Sequence, residues 1–287
     1  MAEKPISNNI FDLAYPDIQW FLERTDIVLV PVGSCEQHGA HLPVACDSIT
    51  AIEVTRRAAA RADVPHTPVV WTGYSPHHIR EAGKGMGTIT LRPSTFESLL
   101  YDIGRSLIHM GFNKIIYVDG HGSNLKVIDP LMRRLRYDTG AFVAVYKPFA
   151  ERYLGLLEGL MENPPEETPG WHCSELETSQ CLAHNEKLVH MERAVVQKTK
   201  APDWMPEAFS KEDGGSDVTF KGYRYFLVPM EHEEYTPTGV VGNPFRATAE
   251  KGHRALELFA DHLVEAIEQF RKIKVEIKQR EFENRAG

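Results

Sequence analysis

The chain has 287 residues, of which 42% are hydrophobic, and a formal net charge of -8 at pH 7. This length and composition allow a large buried core, and we predict a single α/β domain over residues 1–287. The negative charge argues against binding to nucleic acid or an anionic membrane, both of which require a basic face. The sequence contains neither a transmembrane-length apolar run nor a signal-peptide pattern, so we expect a cytoplasmic protein.

Strand and helix patterns alternate through the first half of the chain, as a parallel sheet requires. Apolar, mostly β-branched runs predict strands at residues 26–32, 67–71, 114–118 and 141–146. Helical patterns begin near residues 47, 95 and 125. We therefore predict an α/β fold of three layers, α/β/α, with a mainly parallel central sheet.

Side chains of the kinds that bind metals follow the first predicted strand at Glu36, His38, His41 and Asp47. Open α/β sheets keep their sites at the carboxyl ends of the strands. Carboxylates and imidazoles buried together there are costly unless a cation pairs with them, and this donor set suits zinc, manganese or iron(II) better than calcium. The alternative is that the histidines are ordinary loop residues and that Asp47 caps the following helix.

The strand at residues 114–118 ends in another candidate ligand, His121, which two glycines flank. Gly120 and Gly122 allow a sharp backbone turn that leaves His121 at the strand end. The alternative is a simple glycine turn in which Asn124 caps the next helix.

A third polar segment places His172, Glu175 and Glu177 at the start of a helical pattern. Side chains two positions apart on a helix differ by roughly 200° in direction, so only one glutamate can face a shared site. The spacing does not say which. Alternatively, Ser174 and Glu177 form a capping box. Trp171 is either an aromatic wall for a flat substrate or a packing residue.

Three blocks of this sequence resemble the creatininase family of metal-dependent amidohydrolases in order and spacing. The first is Gly-Ser-Cys-Glu-Gln-His-Gly-Ala-His-Leu-Pro, with Asp47 shortly after it. The second is Asp-Gly-His-Gly-Ser-Asn at residues 119–124, and the third is His-Cys-Ser-Glu-Leu-Glu-Thr-Ser at residues 172–179. The resemblance runs from about residue 25 to about residue 190.

This resemblance implies two neighbouring divalent ions per subunit, of zinc, manganese or iron. It assigns Glu36, Asp47 and His121 to one ion and His38, Asp47 and Glu177 to the other, so that Asp47 bridges them. Glu177 rather than Glu175 occupies the family's ligand position.

The same resemblance implies that His172 transfers protons and that Ser75 and His78 contact substrate. In creatininase itself, a glutamate ligand follows the metal-binding histidine of the second block. Ser123 and Asn124 stand in that place here, so we do not expect creatinine to be the substrate.

The implied activity is hydrolysis of a C–N bond in a cyclic amide, amidine or formamide, by attack of a metal-activated water on a carbonyl. The alternative is hydrolytic C–C opening of a cyclic ketone derived from a sugar or cyclitol, at the same two-metal site. A metal-stabilised binding protein is less favoured, because the ligands and the proton-handling histidine are all present. We expect a small-molecule substrate and a homo-oligomer, with a hexamer favoured.

The remaining polar features have simpler interpretations. Residues 231–234 predict a solvated acidic face. The cysteines, Cys35, Cys46, Cys173 and Cys181, lack the spacing of a disulfide framework and are expected to be reduced thiols. Residues 200–247 predict irregular connections with a short strand at 223–229, and residues 249–274 predict a long amphipathic helix.

Overall fold

The computed structural model describes residues 3–79, 81–84, 86–148, 155–162, 172–283 and 285–286. The helices are α1 (Tyr15–Leu22), α2 (Cys46–Ala62), α3 (Pro93–Met110), α4 (Leu125–Thr139), α5 (Glu175–Asn185), α6 (His232–Tyr235) and α7 (Ala249–Phe270). The strands are β1 (Ile27–Val32), β2 (Lys114–Asp119), β3 (Phe142–Tyr146), β4 (Phe209–Ser210), β5 (Asp217–Phe220) and β6 (Tyr223–Leu227). Trp171, which the sequence predicts to be either an aromatic wall or a packing residue, lies outside the described residues.

The central sheet consists of β1, β2 and β3 in that order, and all its pairs are parallel. Alternate residues of β1 and β2 enter two different cores. Ile27 and Leu29 pack with α2 and α7, whereas Val28 and Val30 pack with α3 and α4. Helices thus cover both faces, which explains why these strands are apolar throughout. The predicted α/β class and three-layer arrangement are confirmed.

The strand expected at residues 67–71 is wrong in its extent. The chain does run parallel to β1 there, but pairing is limited to isolated bridges of His66 with Leu29 and of Val70 with Val32. Pro68 on this segment and Pro31 on β1 have no backbone N–H, so they cannot donate to a ladder between the two. The apolar pattern identified a segment at the sheet edge, but it did not show that the prolines remove backbone N–H donors.

The second half of the chain adds an antiparallel sheet of β4, β5 and β6. The strand predicted at residues 223–229 appears as β6. The apolar stripe of α7, including Leu256, Phe259 and Leu263, is buried against α2 and the central sheet. The stripe is therefore buried within the chain and gives no evidence for a contact between subunits. The homo-oligomer stays a prediction. Among the described residues, no helix is long and apolar enough to span a membrane.

Candidate active site

The ends of β1 and β2 and the first turn of α2 form one corner of the molecule. Val32 pairs with Asp119, so both strands end at the same level. A Cβ at Gly120 would collide with the backbone carbonyl of Asp47, and one at Gly33 would collide with Ser48. These two glycines therefore let α2 begin directly against the strand ends, which brings Asp47 to them.

Asp47 lies between two groups of potential ligands. Its Oδ2 is 3.2 Å from His121 Nδ1, and its Oδ1 is 3.3 Å from His38 Nε2. Glu36 Oε2 is 3.3 Å from His121 Nε2, and Glu177 Oε2 is 3.8 Å from His38 Nε2. The structure thus brings together all five side chains assigned to metal from the sequence. Asp47 is not the helix cap, because Ala45 holds that position.

Two polar atoms of this cluster suggest that it accommodates cations. In the described part of the chain, His38 Nε2 and Asp47 Oδ2 are buried and make no hydrogen bond. Leaving a buried polar atom unpaired costs about 1–3 kcal/mol, and more if the group is charged. Bound cations would pair these atoms, and the mixed carboxylate and imidazole donors fit zinc, manganese or iron(II).

The electrostatics of the cluster also call for added positive charge. Burial raises the pKa of Glu36, and it raises the pKa of Glu177 to about 7. Burial also opposes ionisation of Asp47, but His38 and His121 outweigh it and lower the pKa of Asp47 to about 2. Although burial disfavours the charged form of His121, Glu36 and Asp47 raise its pKa to about 9. Without a cation, protons must therefore balance the carboxylates.

The structure separates the two glutamates that the spacing left unresolved. Glu177 Oε2 faces His38 and accepts a hydrogen bond from the backbone N–H of Cys173 at 2.5 Å. Glu175 instead pairs with Lys251 Nζ at 2.6 Å and accepts from the N–H of Glu162 at 2.9 Å. Ser174 is the N-cap of α5, but its side chain makes no capping hydrogen bond. The capping box is therefore wrong, and Glu177 is free for the cluster.

His172 lies over the same cluster from the loop before α5. Its Nε2 is 2.9 Å from the backbone carbonyl of Gln37, an acceptor, so Nε2 carries the hydrogen. Its Nδ1 is 3.7 Å from Glu36 Oε1. Burial, with the nearby His38 and His232, lowers the pKa of His172 well below its usual value. The ring is therefore neutral, with its bare Nδ1 on the side of Glu36.

Ser75 occupies a different position from the one expected of a substrate contact. It is fully buried, and its Oγ lies 3.1 Å from His121 Nε2 and 2.5 Å from Ser34 Oγ. It is absent from the cavity lining, whereas His78 belongs to it. In this structure Ser75 therefore contacts His121, and the substrate contacts of Ser75 and His78 stay predictions.

The side chain of Asn124 does not cap the following helix, which was the alternative interpretation of this segment. Its side-chain amide donates to the carbonyl of Gly33 at 3.0 Å and to Asp119 Oδ1 at 2.9 Å. Its side-chain oxygen accepts from the N–H of Tyr74 at 2.9 Å. Asn124 therefore ties together the ends of both strands and the loop that carries Ser75.

Two of the cysteines lie near the cluster. Cys46 is close enough to His38 and Glu177 to share an ion with them, and Cys173 is similarly close to His172 and Glu177. A hydrogen bond with Cys181 and burial raise the pKa of the Cys46 thiol, and burial raises that of Cys173. Because zinc binds the thiolate, these protonated thiols are poorer ligands than the carboxylates.

A cavity of about 510 Å³ opens from the cluster. Its lining includes Glu36, Asp47, His121, His172 and Glu177, here called the first wall, and parts of residues 214–216 and 227–235, here called the second wall. The volume is typical of a site for a small molecule.

Sequence reasoning missed His232 on the second wall. Its ring is buried, 4.1 Å from the ring of His78 and 4.6 Å from that of His172 between centroids. The solvated acidic face predicted for residues 231–234 is therefore wrong at His232. The flanking acids have a local role instead, because Glu234 accepts from the N–H of Glu231 at 2.7 Å in a capping interaction. Nothing in the local pattern distinguishes His232 from its solvated neighbours.

Comparisons with known proteins agree with this architecture. A family model described as "Creatininase: Creatinine amidohydrolase" matches residues 12–267. The chain is 27% identical over 266 residues to 3-dehydro-scyllo-inosose hydrolase of Thermotoga maritima, covering 91% of this chain and 83% of that protein. It is 27% identical over 254 residues to creatinine amidohydrolase of Pseudomonas putida, covering 85% and 89% respectively. A crystal structure of creatinine amidohydrolase matches with a TM-score of 0.72 at 25% identity, covering 94% of this chain and all of that one.

Proposed function

We propose that this chain, which belongs to the creatininase family and is a metal-dependent hydrolase, uses two divalent cations to hydrolyse a bond beside a carbonyl group of a small cyclic substrate. The bond we favour is the C–N bond of a cyclic amide, amidine or formamide. The observation that supports two cations is Asp47, whose two oxygens each face a different imidazole at 3.2–3.3 Å.

In this proposal, one cation would be held by Glu36, Asp47 and His121, and the other by His38, Asp47 and Glu177. A bound pair of divalent cations supplies Lewis acidity, which polarises a carbonyl and lowers the pKa of water toward neutrality. Asp47 would hold both positions at a fixed separation, because its carboxylate is anchored in the first turn of α2.

His172 would handle the proton. Its bare Nδ1 faces the carboxylate cluster, so it can accept a proton from the attacking water and return it to the leaving group. The hydrogen bond from Nε2 to the carbonyl of Gln37 holds the ring in this tautomer. Such a fixed ring is suited to act first as a base and then as an acid.

A second candidate is hydrolytic C–C opening of a cyclic ketone derived from a sugar or cyclitol. It is favoured by Ser123, which lines the cavity where a creatininase would supply a glutamate. The relative from Thermotoga maritima is named as a hydrolase of such a ketone, and its alignment covers 91% of this chain. Both candidates require the same cations and the same proton transfer.

A substrate panel with a metal titration tests the proposal. The protein would be stripped with a chelator, reloaded with zinc, manganese or iron(II), and assayed on lactams, formamides and cyclic ketones. We expect two equivalents of metal per chain, and turnover of one substrate class that the chelator abolishes and metal restores. Two equivalents bound without turnover of any class would argue against hydrolysis of these rings.

Glu175 provides a matched control for the ligand assignment. Glu177→Gln should bind one equivalent of metal fewer than the parent, because the amide is a weaker ligand. Glu175→Gln, two residues away, should bind the same amount as the parent, because Glu175 pairs with Lys251. Equal metal content in both variants would exclude Glu177 as a ligand.

A further inference from the structure

Gln37 stands between two proposed ligands in sequence, yet its side chain contacts two histidines on the cavity walls. Its Nε2 lies 3.0 Å from His232 Nδ1 and 3.3 Å from His78 Nδ1. Its Oε1 accepts from the backbone N–H of Gly39 at 3.0 Å, which fixes the end of the amide that carries the hydrogens. Both amide hydrogens are thus directed at imidazole nitrogens.

The side-chain amide of Gln37 is closely packed. Gln37 is buried, and a Cβ at Gly239 would collide with its side-chain oxygen. Gly239 also has a φ of 81°, a conformation that favours glycine. The backbone therefore closes directly over the amide, which restricts its rotation.

An imidazole nitrogen that faces an N–H donor cannot itself carry a hydrogen. His78 and His232 must therefore be neutral, each with its hydrogen on Nε2. His172 has the opposite role, because its Nε2 donates to the Gln37 carbonyl and its Nδ1 is bare. Gln37 thereby sets the hydrogen positions of three rings, two through its side chain and one through its backbone.

This pattern argues against a third cation among the three rings, although their nitrogens lie close enough for one. A histidine that binds metal through one nitrogen normally donates a hydrogen bond from the other. For His78 and His232, the second nitrogen faces the amide N–H of Gln37 and cannot donate to it. Both rings are therefore hydrogen-bond donors toward the cavity.

Within the described residues, His232 Nε2 and His78 Nε2 have no hydrogen-bond acceptor, although Glu36 Oε1 approaches His78 Nε2 to 3.5 Å. A substrate that fills the cavity must supply these acceptors, because a buried donor left unpaired costs about 1–3 kcal/mol. A protonated amidine presents only N–H groups and would oppose them. Hydroxyl and carbonyl oxygens would satisfy them.

We infer that Gln37 is a positioning residue that fixes His78 and His232 as N–H donors, and that the substrate places hydroxyl or carbonyl oxygens against them. This inference rests on the proposed function and narrows its substrates. It selects an oxygen-bearing ring, such as a hydroxylated lactam or a polyhydroxylated cyclic ketone, over a protonated cyclic amidine.

The hydrogen positions can be observed directly, independently of turnover. Protein labelled with ¹⁵N-histidine would be studied by long-range ¹H–¹⁵N correlation, with His78→Gln and His232→Gln used to assign the signals. We expect the Nε2–H tautomer for both rings in the metal-loaded parent. In Gln37→Glu, whose carboxylate accepts instead of donating, both rings should gain a hydrogen on Nδ1.

The matched control is Gln269→Glu, the same substitution at an exposed position on α7, which should leave both tautomers unchanged. An Nδ1–H tautomer for His78 or His232 in the parent would overturn the role of Gln37. This result would stand whatever the enzyme turns over, so it separates this inference from the proposed function.

The substrate class is tested on the same signals with two probes. Inositol presents ring hydroxyls, whereas 2-aminoimidazoline, a cyclic amidine that is protonated at neutral pH, presents only N–H groups. We expect inositol to shift the Nε2 resonances of His78 and His232. The apparent affinity for inositol, measured from these shifts, should be at least about tenfold lower in Gln37→Glu than in the parent. A tenfold loss corresponds to a hydrogen bond of about 1.4 kcal/mol. A shift with 2-aminoimidazoline and none with inositol would overturn the oxygen-bearing substrate.

Discussion

The two walls of the cavity are encoded in different ways. The wall with the proposed cations comes from residues that directly follow strands or begin helices, because the carboxyl ends of adjacent parallel strands meet at one edge. The second wall comes from residues 214–216 and 227–235, beside the antiparallel sheet, and its members share no motif. In our proposal, the first wall carries the chemistry and the second recognises the substrate.

The second wall has its own means of staying rigid. Lys211 and Asp213 have fully buried side chains that lie 3.5 Å apart, and Asp213 also accepts from Arg224 at 2.6 Å. Lys211 Nζ donates to the carbonyl of Gly215 at 2.6 Å, and Tyr235 donates to that of Gly214 at 3.1 Å. An ion-pair network thus holds the glycine loop of the second wall. In the first wall, by contrast, short spacing along the chain positions the side chains.

If the first wall carries the chemistry, the largest effect should come from Asp47. We expect Asp47→Ala to lose both cations and to lower kcat/KM by at least about 10³-fold, because each cation contributes several kcal/mol. Metal analysis of the purified variant is the measurement. The control is Asp129→Ala on the exposed face of α4, where the carboxylate pairs with Arg133. Full metal content in Asp47→Ala would remove the bridge from the proposal.

His172 belongs to the first wall by position but binds no cation in our proposal. His172→Ala should keep both cations while kcat falls by about 10²–10⁴-fold, the usual contribution of a positioned acid or base. The readouts are metal content and steady-state kinetics. If the variant loses a cation, His172 is a ligand, and His78 becomes the next candidate for proton transfer.

The comparison also shows how far the sequence could predict this molecule. Apolar runs predicted β1, β2 and β3, because helices cover both faces of the central sheet, and a stripe of apolar residues predicted α7, because that stripe is buried. The ligand positions followed from family blocks and from spacing after strands. His232 could not be predicted in this way, because its burial depends on packing against His78, which lies far away in sequence. The direction of Ser75 likewise depends on contacts with Ser34 and His121.

If the second wall depends on its ion-pair network, Asp213 should control its stability. Asp213→Ala leaves Lys211 buried without its carboxylate, and we expect a loss of about 3 kcal/mol in the free energy of unfolding. Burial lowers the pKa of Lys211, and losing Asp213 lowers it further. The unfolded chain then binds more protons, so the variant should regain stability as pH rises above neutral.

Denaturant unfolding at several pH values measures this effect, with Asp217→Ala as the control. Asp217 also contacts Arg224, at 3.3 Å, but its side chain is 47% exposed. Its removal should change stability by no more than about 0.5 kcal/mol. Equal losses in both variants would mean that the buried pair does not hold the second wall.

The smallest effect tests where Ser75 belongs. If its hydroxyl only holds His121, Ser75→Ala should weaken metal affinity by about tenfold, the usual effect of losing a hydrogen-bond partner of a metal ligand. KM should then be unchanged at saturating metal. If Ser75 instead contacts substrate, KM should rise while metal affinity stays the same. Metal titration and kinetics on one preparation separate these outcomes. Because Ser75 is fully buried and 3.1 Å from His121 Nε2, we expect the metal to respond and the substrate not to.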